Sequence, residues 1–195
     1  MNELCAAIPV RATTSTGAPA PEWTSRPSRP GRVFRTVLAT LAATAIATGA
    51  TCALASHLLC NVTRSLPLGL YWMNRGGAVG LHDVVAFPVP AAVRDLVRDR
   101  HYLMGGALLL KPVAAVAGDA ICVAGDTVSV NGRPVASLRS RDSEGRPLPR
   151  DARCGPLSPG SVYVLAHDPR SFDSRVFGPL DIHAIAATVT PLWTF

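Results

Sequence analysis

The feature that most constrains this chain is an uncharged apolar segment near its N-terminus. From Thr36 to Val62 the sequence contains no Asp, Glu, Lys or Arg. A helix of about 20 apolar residues is long enough to cross a bilayer. We therefore predict a single transmembrane helix at residues 36–60. It divides the chain into a short N-terminal part, residues 1–35, and a larger C-terminal part, residues 61–195.

The residues before this segment set its predicted orientation. Residues 1–35 are rich in Pro, Ser, Thr and Ala and carry five arginines against Glu3 and Glu22. This composition predicts a disordered basic tail. Because positively charged flanks remain on the cytoplasmic side of a membrane, we expect a cytoplasmic N-terminus and residues 61–195 on the far side.

Two other interpretations of the apolar segment stay open. Its Ala/Thr-rich composition also fits a buried helix of a globular domain, and Ala53-Leu-Ala55 has the spacing of a signal-peptide cleavage site. We predict a retained anchor. Cleavage after Ala55 would release the following residues from the membrane, among them Ser65, a candidate reactive residue.

The chain after the apolar segment consists of short runs typical of β-strands, separated by Gly, Pro and Asp. The predicted strands are residues 70–73, 83–87, 107–111, 120–123, 127–130, 161–166 and 183–189. Asn131-Gly132 predicts a type I′ hairpin turn, and residues 91–100 alone have helical periodicity. Residues 137–153 are polar and predict a surface loop. The predicted fold class is mostly β: an antiparallel β domain with one short helix, preceded by a single transmembrane helix.

The charge of the chain does not favour a nucleic-acid partner. The 195 residues have a formal net charge of +6, but the arginines are scattered and no basic run alternates with aromatic residues. We therefore predict no nucleic-acid binding. Because no Cys-x-x-Cys, paired histidines or clustered carboxylates have metal-ligand spacing, we also predict no metal and no cofactor.

Two of the five cysteines, Cys122 and Cys154, fall in the region predicted to lie beyond the membrane. In an oxidising compartment they can form a disulfide that closes the base of the loop at residues 137–153. We predict this disulfide. Two buried free thiols are the alternative, because pairing cannot be read from sequence alone.

Ser65 and Lys111 are the candidate reactive residues. Lys111 ends the apolar run Leu108-Leu-Leu-Lys111, and burial there lowers the pKa of an amine until it can accept a proton near neutral pH. A serine and such a lysine make up a catalytic dyad. The plain alternatives are a turn serine and a lysine at a strand end with its amine in water. His167-Asp168 suggests a Ser-His-Asp arrangement, which we do not favour in a loop before proline.

Four separate motifs, in order from about Asn61 to Trp193, resemble the signal peptidase superfamily, and within it the TraF-like peptidases of conjugative transfer systems. They are Asn61-x-Thr-x-Ser65-x-Pro67-x-Gly69-x-Tyr71, Leu110-Lys111-Pro-Val-Ala-Ala-Val-Ala-Gly118-Asp119, Val130-Asn-Gly132 and Ser171-Phe-Asp173-Ser-Arg175-Val-Phe-Gly178-Pro179. The resemblance implies a signal-peptidase-like β domain. Pro67 lies two residues after Ser65, as in the TraF-like branch; general signal peptidases place it three residues after.

The resemblance also implies roles for individual residues. Ser65 corresponds to the nucleophile and Lys111 to its general base, while Thr63 and the Ser65 backbone amide correspond to the oxyanion hole. Ser171 corresponds to the hydroxyl that orients the lysine amine. Asp173 and Arg175 correspond to a structural ion pair beside the site.

The implied function is that of a membrane-anchored serine endopeptidase in the bacterial inner membrane, with its catalytic domain in the periplasm. Its expected partners are the lipid bilayer, a membrane-bound pre-protein or pro-pilin substrate, and components of a conjugation or type IV secretion apparatus. Maturation of a conjugative pilin, ending in hydrolysis or cyclisation, fits the TraF-like likeness. A general type I signal peptidase and a non-catalytic membrane-anchored adaptor are the alternatives. A self-cleaving repressor of the LexA type shares the dyad but does not fit the apolar segment or the absence of DNA-reading helices.

Overall fold

The structure is a computed structural model that describes residues 31–103 and 105–195. The described part of the chain divides into two units, residues 31–46 and 47–195. Most of the predicted basic tail, residues 1–30, lies outside the described residues. Its predicted disorder therefore stays a prediction.

Helix α1, Arg32–Ala55, contains most of the apolar segment. Its 24 residues span about 36 Å at 1.5 Å per residue, and among the described residues it is the one helix long and apolar enough to cross a membrane. The hydroxyls of Thr36, Thr40 and Thr51 donate to carbonyls one turn earlier, at 2.8, 2.9 and 2.6 Å. These bonds pair the three hydroxyls with the backbone of the helix itself.

The helix ends before the predicted boundary at residue 60. Leu58–Asn61 forms strand β1 instead, because these residues pair with strand β2, Gly69–Asn74, in the register Leu58–Trp72 to Asn61–Gly69. The apolar segment thus supplies both a helix and the first strand of the β domain.

The rest of the chain alternates strands with short helices. The further elements are β3 Val84–Pro88, a 3₁₀ turn Ala91–Val93, α2 Arg94–Asp99, β4 Leu108–Ala115, β5 Ala120–Ala124, β6 Thr127–Val130, β7 Arg133–Ser137, β8 Cys154–Pro156, β9 Ser161–Val164, α3 Ser174–Phe177, β10 Leu180–Asp181, a 3₁₀ turn Ile182–Ala184, and β11 Ala187–Thr194. The predicted mostly β fold class is confirmed, with a few short helices in place of one.

The strands form two antiparallel sheets. The larger has the order β1-β2-β11-β3-β4-β9-β10, and the smaller has the order β7-β6-β5-β8. Val85, Phe87 and Val164 lie in one buried cluster of the larger sheet, while Ile121 and Val128 lie in a second cluster against the smaller one. Strand β4 has eight residues and pairs with both β3 and β9, so it is an interior strand of the larger sheet.

Two predictions about the smaller sheet are confirmed. Asn131 and Gly132 have φ of 51° and 77° between β6 and β7, as a type I′ turn requires. Cys122 and Cys154 are cross-strand neighbours on β5 and β8 and form a disulfide. The loop between β7 and β8 is therefore closed at its base by a covalent bond.

The predicted strand at residues 183–189 is wrong over its first part. Asp181 accepts a hydrogen bond from the backbone N–H of His183 at 2.8 Å, which caps a single 3₁₀ turn at Ile182–Ala184. A short polar side chain that bonds its own backbone in this way competes with strand pairing. The strand begins only at Ala187.

Candidate active site

Ser65 lies in the loop between β1 and β2, and this loop is organised around the side chain of Asn61. The amide of Asn61 donates to the carbonyls of Thr63, Leu66 and Pro67 at 3.0, 3.2 and 3.0 Å. Its Oδ1 accepts from the backbone N–H and the hydroxyl of Thr63 at 3.1 and 3.0 Å. Since Asn61 is 5% exposed, these five bonds replace its contacts with water and fix the loop on both sides of Ser65.

The far end of this loop is held by residues of β2. The buried Tyr71 donates its hydroxyl to the carbonyl of Pro67 at 2.8 Å, and Leu66 packs against the cluster that contains Tyr71. Gly69 has a φ of 145°, and a Cβ there would lie 2.1 Å from the carbonyl oxygen of Trp193. The backbone conformation and the space at position 69 therefore permit only glycine.

Lys111 lies in β4, opposite Val85 of β3, and is only 3% exposed. Burial disfavours the ammonium form and lowers the pKa of Lys111 from 10.5 to about 8. Among nearby charges, Asp173 opposes this shift most, Arg175 adds to it, and Asp168 opposes it. The desolvation expected for a lysine after a Leu-Leu-Leu run is therefore present.

The hydroxyl of Ser171 connects Lys111 to Ser65. The amine of Lys111 donates to Ser171 Oγ at 2.8 Å, and Ser171 Oγ donates to Ser65 Oγ at 3.5 Å. Lys111 and Ser171 are 60 positions apart in the sequence, and Ser171 and Ser65 are 106 apart. The three residues nevertheless form one chain of polar contacts. The structure joins the candidate nucleophile and base through a third residue.

Asp173 and Arg175 form a buried ion pair, with 0% and 4% of their surfaces exposed and 2.6 Å between Nη2 and Oδ2. The guanidinium also donates to the carbonyls of Ala166 and Asp168 at 3.1 and 2.8 Å, and to that of Ser137 at 3.2 Å. Asp173 Oδ2 accepts from the backbone N–H of Ala166. The pair therefore ties the segment that carries Ser171 to the end of β9 and to the base of the β7–β8 loop.

Thr63, Ser65, Lys111 and Ser171 all line one open cleft of about 350 Å³. Thr63 donates its hydroxyl to Asn61 in this arrangement, so a contact with substrate requires that hydroxyl to turn toward the cleft. His167, considered above for a Ser-His-Asp arrangement, is exposed and borders a different, more open groove that also reaches Ser65.

Tyr102, Ser143 and Phe172 also line the cleft, and sequence reasoning did not identify them. Phe172 lies inside a recognised motif, but no local pattern marked the other two. Across residues 31–103 and 105–195, no group of three or more His, Cys, Asp or Glu side chains is placed to hold a metal ion.

Comparison with known proteins links this chain to one family and to conjugation proteins. The sequence model described as signal peptidase, peptidase S26, matches residues 31–193. A plasmid transfer protein TraF of Escherichia coli is 33% identical over 145 residues, covering 69% of this chain and 82% of that protein. A conjugal transfer protein TraF of Agrobacterium tumefaciens (strain 15955) is 33% identical over 147 residues, covering 69% and 81%.

Among solved structures, a signal peptidase I from Enterococcus faecalis V583 aligns with 58% of this chain and 98% of its own length. The alignment has a TM-score of 0.37 at 20% sequence identity.

Proposed function

This chain belongs to the signal peptidase family, peptidase S26, and from that premise we propose that it is a membrane-anchored serine endopeptidase with Ser65 as nucleophile and Lys111 as general base. Thr63 and the Ser65 backbone N–H are its oxyanion hole, and Ser171 orients the amine. The Asp173–Arg175 pair keeps the Ser171 segment in place.

The observation that supports this proposal best is the burial of Lys111 beside the two serines. A pKa lowered to about 8 leaves part of the amine population neutral near neutral pH. Its contact with Ser171, and the contact of Ser171 with Ser65, give the neutral amine a path to the proton of the nucleophile. A lysine with its amine in water would be almost entirely protonated at the same pH.

The reaction follows from these contacts. Neutral Lys111 takes the hydroxyl proton of Ser65, directly or through Ser171, while Ser65 Oγ bonds to the carbonyl carbon of the substrate. The carbonyl oxygen becomes an oxyanion and accepts hydrogen bonds from the Ser65 N–H and from Thr63, once its hydroxyl turns away from Asn61. Lys111 then returns the proton to the leaving amine as the C–N bond breaks, which yields an acyl-enzyme.

Deacylation repeats these steps with a second nucleophile. Water attacks the ester carbon at Ser65 while Lys111 removes its proton. The C–Oγ bond then breaks, Lys111 returns the proton to Ser65 Oγ, and the product leaves with a free carboxyl group. If an amine of the same substrate attacks in place of water, the product is cyclic and one water lighter than the linear product. Hydrolysis and cyclisation therefore differ only in which nucleophile reaches the ester.

Helix α1 and the similar proteins support a proposed substrate and location. Helix α1 is the candidate anchor, and Ser65 follows its last residue, Ala55, by ten positions in the sequence. We place residues 1–35 in the cytoplasm, the anchor within 36–60 and the catalytic domain, 61–195, in the periplasm of a bacterium. Since two similar proteins bear the names of plasmid and conjugal transfer proteins, a membrane-bound pro-pilin is the proposed substrate and conjugation components are the proposed partners.

The test compares cleavage of a membrane-inserted pro-peptide by the full chain in lipid vesicles. Wild type should cleave it, whereas Ser65→Ala and Lys111→Met should fold and not cleave. Ser158→Ala, in an exposed turn before β9, is the matched control and should cleave like wild type. Equal cleavage by all four proteins refutes the dyad, and no cleavage by wild type favours the adaptor.

Two further measurements separate the remaining alternatives. Cleavage of unrelated pre-proteins as readily as of a pro-pilin favours a general type I signal peptidase. The mass of the product, equal to that of the linear peptide or one water below it, distinguishes hydrolysis from cyclisation.

A further inference from the structure

We propose that the catalytic cleft continues into a subsite that binds a carboxylate of the substrate through Arg139 and Arg141. The inference rests on the proposed peptidase function and adds a substrate class to it. It assigns a role to the β7–β8 loop, residues 138–153, which the catalytic chemistry above does not use.

The subsite is a cavity of about 230 Å³ next to the catalytic cleft. The two spaces share part of their walls, including Tyr102, Ser143, Ser171 and Phe172. Ser171 is also the residue that contacts both Ser65 and Lys111. A peptide bound across Ser65 therefore reaches this cavity within a few residues of the bond that is cut.

The walls of this cavity are rich in arginine. Arg170 and Arg175 are paired with Asp168 and Asp173, at 3.1 and 2.6 Å. Arg139 and Arg141 also line the cavity, and within the described part of the chain neither has a carboxylate partner. Arg141 makes one hydrogen bond, to the carbonyl of Gly145 at 2.6 Å, which leaves most of its donors free.

The carboxylate of Asp142, which also lines the cavity, does not balance these two charges. Its Oδ2 accepts from the Tyr102 hydroxyl at 2.5 Å, from Arg146 at 2.7 Å and from Arg100 at 3.4 Å. Burial opposes ionisation, but the side-chain bonds from Tyr102 and Arg146 and the backbone N–H groups of Arg146 and Glu144 hold the pKa of Asp142 well below its usual range. Arg146 is also paired with Glu144, at 2.8 Å. Asp142 and Glu144 thus balance Arg100 and Arg146, and among the described residues the charges of Arg139 and Arg141 remain unpaired.

The remaining wall suits the carbon chain of an acidic residue. Leu148, Pro169, Phe172 and Val176 provide its apolar part. Guanidinium groups bind carboxylates through paired hydrogen bonds, which a neutral amide or a lysine of the substrate cannot replace. The ligand is either an Asp or Glu side chain near the cleaved bond or the free C-terminal carboxylate of a short leaving peptide.

The experiment measures binding to the full-length Ser65→Ala chain in detergent by fluorescence anisotropy. The probes are otherwise uncharged peptides with small residues around one cleavable bond. Each peptide carries a single Glu, and the position of that Glu differs from one peptide to the next. Each has a Gln counterpart, and the neutral parent is made with a free and with an amidated C-terminus. Arg139 and Arg141 are exposed, and two exposed guanidinium–carboxylate contacts together should strengthen binding up to about tenfold for one peptide of this set.

The identity of that peptide distinguishes the two sources of the carboxylate. A preference for Glu over Gln at one position identifies a side chain, and a preference for the free over the amidated terminus identifies the chain end. In either case the preference should shrink as salt is raised. Equal affinities across all pairs overturn the inference.

Substitutions place the preference on the two arginines. The ratio of Glu-peptide to Gln-peptide affinity should fall toward one in Arg139→Gln/Arg141→Gln. It should be unchanged in Arg133→Gln, an exposed arginine of β7 that lines neither space. A ratio that survives the double substitution overturns the assignment.

Cleavage of the same peptides by wild type separates failure of the subsite from failure of the proposed function. Cleavage without any carboxylate preference refutes the subsite alone. Binding with the preference but without cleavage supports the subsite and refutes the peptidase.

Discussion

The amine of Lys111 donates a 2.8 Å hydrogen bond to the hydroxyl of Ser171, which lies 60 residues further along the chain. Both residues are buried, and Ser171 in turn donates to Ser65. In this arrangement every proton points away from the amine. Removal of the Ser65 proton requires the direction to reverse, which only a deprotonated lysine permits.

The first prediction concerns the pH dependence of cleavage. The rate kcat/KM should rise with pH through a midpoint of about 8, because the active form is the neutral amine of Lys111. Lys111 is the only lysine in the sequence, so labelling with ¹³C-lysine gives one side-chain NMR signal whose titration reports this pKa independently. A titration near 10.5 would mean that the amine is hydrated, and the dyad would lose its physical basis.

The second prediction is that Lys111→Met stabilises the fold below pH 8. A pKa lowered from 10.5 to about 8 corresponds to about 3 kcal/mol, an upper estimate at 1.36 kcal/mol per pH unit. Between these two pH values the unfolded chain binds more protons than the folded one, so wild-type stability rises with pH. The advantage of the methionine should therefore be largest below pH 8 and decrease toward pH 10.5. Urea unfolding of both proteins across this range measures it, and a constant difference contradicts it.

The third prediction concerns Ser171, which we expect to act on the rate through Lys111. Ser171→Ala should lower kcat by about 10²-fold, the lower end of what a positioned proton-transfer group supplies. KM should change little, and the pH midpoint should move because the amine loses a partner. Ser171→Thr keeps the hydroxyl and should recover most of the rate. If Ser171→Thr is as inactive as Ser171→Ala, the hydroxyl at this position does not contribute to the rate.

The fourth prediction concerns the loop that carries Ser65. Asn61→Ala removes three donor and two acceptor contacts and should cost about 1–3 kcal/mol of stability together with most of the activity. Asn61→Asp keeps the acceptor oxygen but places a second carboxylate oxygen against three carbonyl oxygens. Because these oxygens repel one another, the losses of stability and activity should be at least as large. Unfolding midpoints and kcat, measured on the same preparations, test both variants. Wild-type activity in Asn61→Asp would show that the donor contacts do not position Ser65.

The fifth prediction concerns the buried ion pair. Asp173→Ala leaves the guanidinium of Arg175 buried without its partner and should cost about 3–5 kcal/mol of stability. The double substitution Asp173→Ala/Arg175→Met removes both charges and should cost less than the single one. Urea unfolding of the two variants decides this, and a larger loss in the double variant would mean that the other bonds of Arg175 outweigh the charge.

Much of the fold could be predicted because its signals are local. The charge-free stretch from Thr36 indicated helix α1, and short apolar runs separated by Gly, Pro and Asp indicated most of the strands. The Asn131-Gly132 pair indicated its turn from backbone conformation alone. Strands β8 and β10 were missed because they have three and two residues, too few for any period to appear. The 3₁₀ turn after Asp181 replaced a predicted strand because one side-chain hydrogen bond outweighed β propensity there.

The sequence by itself determined the motifs, their order, the family resemblance and the pairing of an apolar run with Lys111. Only the tertiary structure decided that Ser171 lies between Lys111 and Ser65, that Asn61 holds the loop of Ser65, and that Arg139 and Arg141 line a cavity beside the cleft. Helical and strand preferences act over a few neighbouring residues and can be read along the chain. The loss of water around an amine and the hydrogen bonds that hold it depend on side chains from distant segments, which become neighbours only when the sheet forms.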